Sequence, residues 1–328
     1  MSELRVSIES YRGRSFEVGE GVGAHEQMKD VQQRCEHFVQ PINIEEARTV
    51  YQHFAPHLLD EMEGMSETLS ISLNDALTLF SGYDLPKLEG LGCTALMTDQ
   101  GYVRNYDFGP DYYDGRLILR QPSECYATCG HSLLGIGLHD GMNEHGLTVG
   151  LHFVSTRLHQ KGLMAGIIVR MVLDTCRTVE EAIILLKDLP HADEYNYSLT
   201  DASGKSSVVE IGPSGSEVRC KATLYCTNHF QKSNSPQATE SSIQRLTYLE
   251  NHPIVKVEKW FDEFRNPFSP LFFRDYDNLF GTLHTVMMNP KERLFKTVIA
   301  GGEEVITIHF QDWVNGGTVN NRNISVTL

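Results

Sequence analysis

The stretch Gly92–Phe108, reading GCTALMTDQGYVRNYDF, constrains this chain more than any other. Two short runs of β-forming residues flank a turn at Asp99-Gln100-Gly101, which is the pattern of a β-hairpin. Cys93 opens the first strand directly after Gly92, and Arg104, Asn105 and Asp107 fall near the end of the second. A thiol reacts near neutral pH as the thiolate, and its free pKa is about 8.5, so it needs a base or a cation beside it. Cys93 has no histidine next to it in sequence. If the Gly92-Cys93 bond is broken, the α-amino group of Cys93, with a free pKa of about 7.7–8.0, becomes a base on the same residue. A glycine before the nucleophile leaves the carbonyl unshielded by a Cβ. Asp107 is then placed to hold the amine, and Arg104 to stabilise the thiolate or a substrate carboxylate.

Strand geometry sets a condition on that reading. Side chains alternate faces, so Arg104 and Asp107, three positions apart, point in opposite directions on a regular strand. Both face the thiol only if the strand bulges or ends between them. The plain alternative is a buried structural cysteine with a surface Arg/Asp pair.

Cys-Thr followed by Arg-Asn-x-Asp resembles the nucleophile hairpin of the N-terminal-nucleophile hydrolases that cut linear amides. These include choloylglycine hydrolases, penicillin V acylases and acyl-coenzyme A:6-aminopenicillanic acid acyltransferases. An internal Gly-Cys-Thr preceded by some ninety residues is most similar to the acyltransferase branch. The resemblance runs from about residue 45 to the C-terminus. It implies self-cleavage into residues 1–92, a small subunit, and 93–328, the catalytic part, within one folded unit. It also implies an α+β fold, a four-layer αββα sandwich of two antiparallel sheets between helical layers. Periodicity alone supports only mixed α and β.

The resemblance extends to three further places. In DGMNEHGLTVGLHF, His152 stands where relatives commonly carry asparagine, and a donor near this position helps bind the oxyanion. The residues alone make a lone histidine there a satisfied core residue. Thr227-Asn228-His229-Phe230 is similar to the segment that supplies an oxyanion-hole asparagine, which implies that role for Asn228. Without the resemblance, Asn228 reads as a turn cap. Arg245 in SSIQRL matches a segment whose arginine reaches the active site, and is otherwise a helix-surface residue.

Length and charge narrow the function classes. The 328 residues, 41% of them hydrophobic, suffice for a large core. A net charge of −15 argues against nucleic acid as a partner. No apolar window long enough for a membrane span occurs, and MSELRVSIES has no signal-peptide core. Seven dispersed cysteines do not read as a disulfide framework, which favours a reducing cytoplasm. Cys125, Cys129 and His131 form a CxxxC-G-H group, but its spacing fits no common zinc pattern, so no metal or other cofactor is expected. The partner expected is a small acyl amide, with self-association left open.

Along the chain, residues 4–20 read as a strand or hairpin and 26–39 as helical. Helices are expected from Asn43, from Pro56, from the Ser72 capping box, over 164–172, from Thr178 and from Ser241. Gly82–Gly92 reads as a loop carrying the processing junction. Strands are expected over 116–120, 147–154, four runs within 197–226, and 283–288, 294–300 and 305–310. The aromatic run 254–280 either lines an acyl pocket or, as its pattern favours, packs under a sheet.

Three functions fit these residues. The first is an amidase or acyltransferase working through a thioester on Cys93. The second is a binding protein on the same scaffold with Cys93 never released. The third is a hydrolase with unprocessed Cys93 and His152 or His229 as base. Penicillins, bile-salt conjugates, N-acyl amino acids and acyl-coenzyme A all remain compatible, and no phosphate-cradling glycine loop favours a nucleotide-bearing donor.

Overall fold

The computed structural model describes residues 3–85, 92–154, 158–213, 215–233, 238–252 and 256–328. Most of the Gly82–Gly92 loop, residues 86–91, lies outside them. The chain begins with β1 (Glu3–Gly13) and the helices α1 (Ser15–Ala24), α2 (Gln27–Phe38), α3 (Ile44–Phe54), α4 (Pro56–Leu69) and α5 (Leu73–Phe80). The hairpin is β2 (Gly92–Thr98) and β3 (Gly101–Phe108). There follow β4 (Arg116–Pro122), β5 (Thr128–Leu133), β6 (Gly137–Asn143), β7 (Thr148–Phe153), α6 (Ala165–Thr175) and α7 (Val179–Asp188). Next come β8 (Tyr195–Thr200), β9 (Ser206–Gly212), β10 (Gly215–Cys220), β11 (Leu224–Cys226), α8 (Glu240–Asn251) and α9 (Val257–Phe264). The last elements are β12 (Arg274–Asp275), β13 (Phe280–Asn289), β14 (Leu294–Ile299), β15 (Ile306–His309), α10 (Phe310–Val314) and β16 (Arg322–Thr327).

Local signals account for the helix starts. Asn43 caps α3 by accepting from the Glu46 N–H, Pro56 takes the first turn of α4, and Ser72 and Asp75 cap α5 reciprocally. The second half of the run over residues 4–20, expected as a strand or hairpin, is instead α1. Its Val18 and Val22 join the helical core, and Gly19 lets α1 cross α4 closely. A Cβ on Gly19 would lie 2.0 Å from the Glu61 carbonyl oxygen.

Among the described residues the strands form two sheets. One runs β10-β9-β8-β7-β6-β5-β4-β1-β16, and the other runs β11-β2-β3-β13-β14-β15 with β12 on β13. Three apolar clusters show how they stack. Leu138, Val149 and Leu199 on the larger sheet pack under helices α1–α7. Leu117, Leu119 and Met142 of the larger sheet meet Cys93, Met97, Tyr102 and Val286 of the smaller one. Val103 and Met287 on the outer face of the smaller sheet pack against Trp260, Phe261 and Phe264 of α9. This is an α+β, four-layer αββα sandwich. One pair departs from the antiparallel expectation, because β1 runs parallel to β4. Such a pair needs a long connection, and here helices α1–α5 and the hairpin lie between its two strands. The aromatic run takes the packing role in α9, while Phe268 is exposed. Among the described residues no helix is long and apolar enough to cross a membrane.

Candidate active site

Cys93 is the second residue of β2, with its side chain between the sheets. The β2–β3 ladder is regular, pairing Gly92 with Asp107, Cys93 with Tyr106 and Ala95 with Arg104. Arg104 therefore shares the inner face with the Cys93 thiol, and Asp107 lies on the outer face beside Gly92. β3 does not bulge against β2; the irregularity in this region is in β13, between Thr282 and His284. The condition that both side chains face the thiol is not met. They address two different parts of the same residue, the sulfur from inside and the peptide junction from outside.

On the inner face, Arg104 Nη2 donates to Cys93 Sγ at 3.0 Å and to the Leu151 carbonyl at 2.6 Å, and Nη1 pairs with Asp140. Gly150 makes room for this arginine, since a Cβ there would lie 2.8 Å from Arg104 Cδ. Burial pushes the Cys93 thiol up to about 11; Arg104 and Arg245 pull it down, Asp107 pushes it up, and the Phe153 N–H pulls it down. In the intact chain the thiol is protonated at neutral pH.

On the outer face, Arg245 Nη1 in α8 donates to the Cys93 carbonyl at 2.8 Å and to Thr94 Oγ1 at 2.7 Å. Its Nη2 donates to Asn228 Oδ1 at 2.7 Å. That donation orients the Asn228 amide. Oδ1 also accepts from the Cys93 N–H at 3.0 Å, and Nδ2 donates to the Phe153 carbonyl at 2.8 Å. Asn228 thus grips the Cys93 backbone and holds the carbonyl of Phe153, the residue whose N–H faces the sulfur.

Asp107 Oδ1 accepts from Thr282 Oγ1 at 2.7 Å. Its Oδ2 is buried with no hydrogen-bond partner among the described residues and sits 3.9 Å from Arg245 Nη1. Burial raises the Asp107 carboxyl above its ordinary value despite Arg245. Gly92 has no space for a side chain: a Cβ would lie 2.5 Å from the Phe280 ring and 3.1 Å from Asp107 Cβ.

His152 is fully buried; its Nε2 meets Ser198 Oγ at 2.7 Å, and its Nδ1 faces the Cys93 backbone outside hydrogen-bond geometry. Burial holds it well below the usual imidazole range, so it is neutral. His229 contacts Thr227 and Ser242, with no contact to the sulfur among the described interactions. The CxxxC-G-H group is split. Cys125 lies near His57 and Asp174, and His131 lies near Asp140 and His284.

Sequence reasoning missed Phe153, Asp140 and Ser242, whose hydroxyl accepts the Asn228 N–H at 2.8 Å. Asp140 reads as part of a turn-rich run, but it is an inward residue of β6, opposite His131. Alternation counted back from β7 through that run is the signal that would have found it.

An apolar cavity opens beside this centre, lined by Tyr106, Leu151, Tyr195, Leu134 and Met164, with Asp193 and Arg34 as charged members. Its volume is about 60 Å³. Ligand pockets commonly hold roughly 300–1,000 Å³, so an acyl group enters only if its walls move.

A model of the acyl-coenzyme A:6-aminopenicillanic acid acyl-transferase family matches residues 96–304. The match takes in Arg104, Asp107, His152, Asn228 and Arg245 and begins just past Cys93. No curated protein sequence matches the chain. Three solved structures show similarity to the chain. A variant of conjugated bile acid hydrolase from Clostridium perfringens has 15% identity and a TM-score of 0.45, covering 72% of this chain and 97% of its own. Penicillin V acylase from Agrobacterium tumefaciens has 18% identity and a TM-score of 0.41, covering 67% and 78%. The Caenorhabditis elegans ortholog of N-acylethanolamine-hydrolyzing acid amidase has 13% identity and a TM-score of 0.42, covering 61% and 93%.

Proposed function

Since the chain belongs to the acyl-coenzyme A:6-aminopenicillanic acid acyl-transferase family, and is thereby an enzyme of linear-amide acyl chemistry, we propose that it is a self-processing cysteine amidohydrolase or acyltransferase. The observation that carries this reading is the division of labour around one residue. Arg104 holds the Cys93 sulfur, Arg245 its carbonyl and Asn228 its N–H, and beside Gly92 lies an Asp107 oxygen with no hydrogen bond among the described residues.

In the first step the Cys93 sulfur attacks the Gly92 carbonyl carbon. The C–N bond breaks as the nitrogen takes up a proton, leaving a thioester that water hydrolyses. This frees the Gly92 carboxylate and the Cys93 α-amine. In this reading the new ammonium donates to Asp107 Oδ2. In turnover the α-amine takes the thiol proton, the thiolate attacks the substrate amide, and the proton passes to the leaving amine. The Phe153 N–H and the second Nδ2 hydrogen of Asn228 are the donors for the oxyanion. Water resolves the thioester, or another amine does, which makes the reaction acyl transfer. The apolar lining beside Cys93 favours a hydrophobic acyl group.

Denaturing mass spectrometry and turnover of N-acyl amides test this reading together. Fragments of 92 and 236 residues (328 − 92) are expected from the purified protein, and one intact chain from Cys93→Ala. An uncleaved wild-type chain without turnover would support the binding-protein alternative instead.

A further inference from the structure

Behind Arg104, a row of polar side chains lies between the two sheets, with His284 and Tyr113 stacked against the Tyr106 ring. Asp140 Oδ2 receives Arg104 and, at 2.9 Å, His284 Nε2. Tyr113 Oη lies 2.8 Å from His284 Nδ1 and 2.9 Å from His131 Nδ1. All five side chains are buried.

The hydrogens in this row can be assigned by counting. The carboxylate oxygen of Asp140 that receives Arg104 only accepts, so His284 Nε2 carries a hydrogen. Burial drives His284 and His131 well below the usual imidazole range, so each ring is neutral. His284 Nδ1 then accepts, and the single Tyr113 hydrogen goes to it. The Tyr113 oxygen in turn accepts from His131 Nδ1–H, which requires the Thr297 hydroxyl to donate to His131 Nε2 at 3.1 Å rather than to the Thr285 carbonyl at 3.0 Å. Every donor points towards Asp140, an arrangement in which successive bonds polarise one another.

Two strand irregularities build the row. The register of β13 slips between Thr282 and His284, and that of β5 on β6 slips between His131 and Ser132. The first turns His284 inward opposite Tyr106; without the slip, alternation would leave it on the face of Thr282. The rings of His131 and His284 stack at 3.8 Å. The row does not read as a cation site. Every nitrogen of His131 and His284 already has a polar partner, with Thr297 Oγ1 at 3.1 Å from His131 Nε2, and Arg104 and His284 share Asp140 Oδ2, which leaves only Oδ1 without a hydrogen bond among the described residues.

We propose that Asp140, held by the His284–Tyr113–His131 row, fixes Arg104 on the Cys93 sulfur, and that His284 is the positioning residue on which this hold depends. The inference rests on the reading of Cys93 as nucleophile. Arg104 Nη2 divides between the sulfur and the Leu151 carbonyl, so a small rotation about the Asp140 contact removes it from the sulfur. His284 is neutral, so its replacement changes no charge near Cys93. Any change at the thiol then reports geometry.

The test is the pH dependence of Cys93 alkylation by iodoacetamide in the full chain, followed by peptide mass spectrometry. Exposed Cys220 serves as the internal reference for a folded protein. Turnover of N-acyl amides is measured in parallel. In His284→Leu the thiol pKa is expected to rise by about one unit, making alkylation at pH 8 about tenfold slower. Its kcat is expected to fall with KM held. His284→Gln, which keeps a donor at the Nε2 position, is expected to recover most of both. Tyr113→Phe is expected to shift the profile the same way by less, and it decides the matter if His284→Leu does not fold. A folded His284→Leu with the wild-type alkylation profile, or a Gln variant no better than Leu, overturns the inference. If the profile shifts while the wild-type protein neither cleaves nor turns over, the positioning stands and the proposed function falls. If the wild type turns over and the profile does not move, the reverse holds.

Discussion

Replacing Asp107 by asparagine separates a catalytic carboxylate from a structural one, because the two roles predict opposite changes in stability. Asp107 lies 3.9 Å from Arg245, an attraction of about 4 kcal/mol at an effective dielectric near 20. Against this stands the cost of stripping water from a carboxylate, one of whose oxygens has no hydrogen bond among the described residues, which is several kcal/mol. The raised Asp107 carboxyl shows that burial wins. A folded-state pKa above the unfolded one adds stability at low pH that is lost as pH rises through the folded value. The carboxylate therefore contributes nothing favourable to the intact fold at neutral pH. Asparagine keeps an oxygen for the Thr282 hydroxyl, and Arg245 keeps its bonds to Cys93, Thr94 and Asn228. In the uncleavable Cys93→Ala background, Asp107→Asn should stay within about 1 kcal/mol of its parent, or gain stability, near pH 8. In the chain with Cys93 present, the same change should slow self-cleavage and lower kcat by about 10²–10⁴, the usual range for a lost proton-transfer or orienting group. Urea melts and progress curves on an N-acyl amide give the two numbers. A loss of more than about 3 kcal/mol with turnover retained would make Asp107 one half of a buried ion pair and refute the argument.

Asn228→Ala removes the acceptor of the Cys93 N–H and the brace on the Phe153 peptide, so kcat/KM should fall by about 2.7–4 kcal/mol in transition-state terms. His152→Asn and His229→Gln should retain substantial turnover if the α-amine is the base; a collapse on His229→Gln with Asn228→Ala unaffected would put a Cys/His pair in its place. Asp174 is buried, but Arg170 and His57 outweigh that burial and hold its carboxyl below the ordinary value, so it stabilises above the unfolded carboxyl pKa and less as pH falls through the folded one. Asp174→Asn should cost about 3–5 kcal/mol at pH 7 in urea melts, with the gap to wild type closing below about pH 4.

How much of this was legible in the chain depends on the range of each interaction. The hairpin, the capped helices α3, α5 and α7, and most strand runs follow from residues a few positions apart and stand where pattern and caps put them, while α8 starts one residue ahead of Ser241 on a Thr239 cap. The second half of the 4–20 run escaped, because Val18 and Val22 suit a strand or a helix, and only the close crossing at Gly19 and Gly64 selects the helix. The parallel pairing of β1 with β4 escaped for the same reason: it joins segments more than a hundred residues apart.

The site divides along the same line. The residue types at Cys93, Arg104, Asp107, Asn228 and Arg245 were readable from short runs. Alternation alone already put Arg104 and Asp107 on opposite faces, and the regular β2–β3 ladder keeps them there. What that parity means could not be read from the strand, because it depends on which layer covers each face. The inner face meets the larger sheet and its Asp140, and the outer face meets α8 and its Arg245. A sequence carries the chemistry of its side chains and the period of its backbone. The sandwich decides which atoms of Cys93 each side chain reaches, because two sheets and a helix converge there from distant parts of the chain.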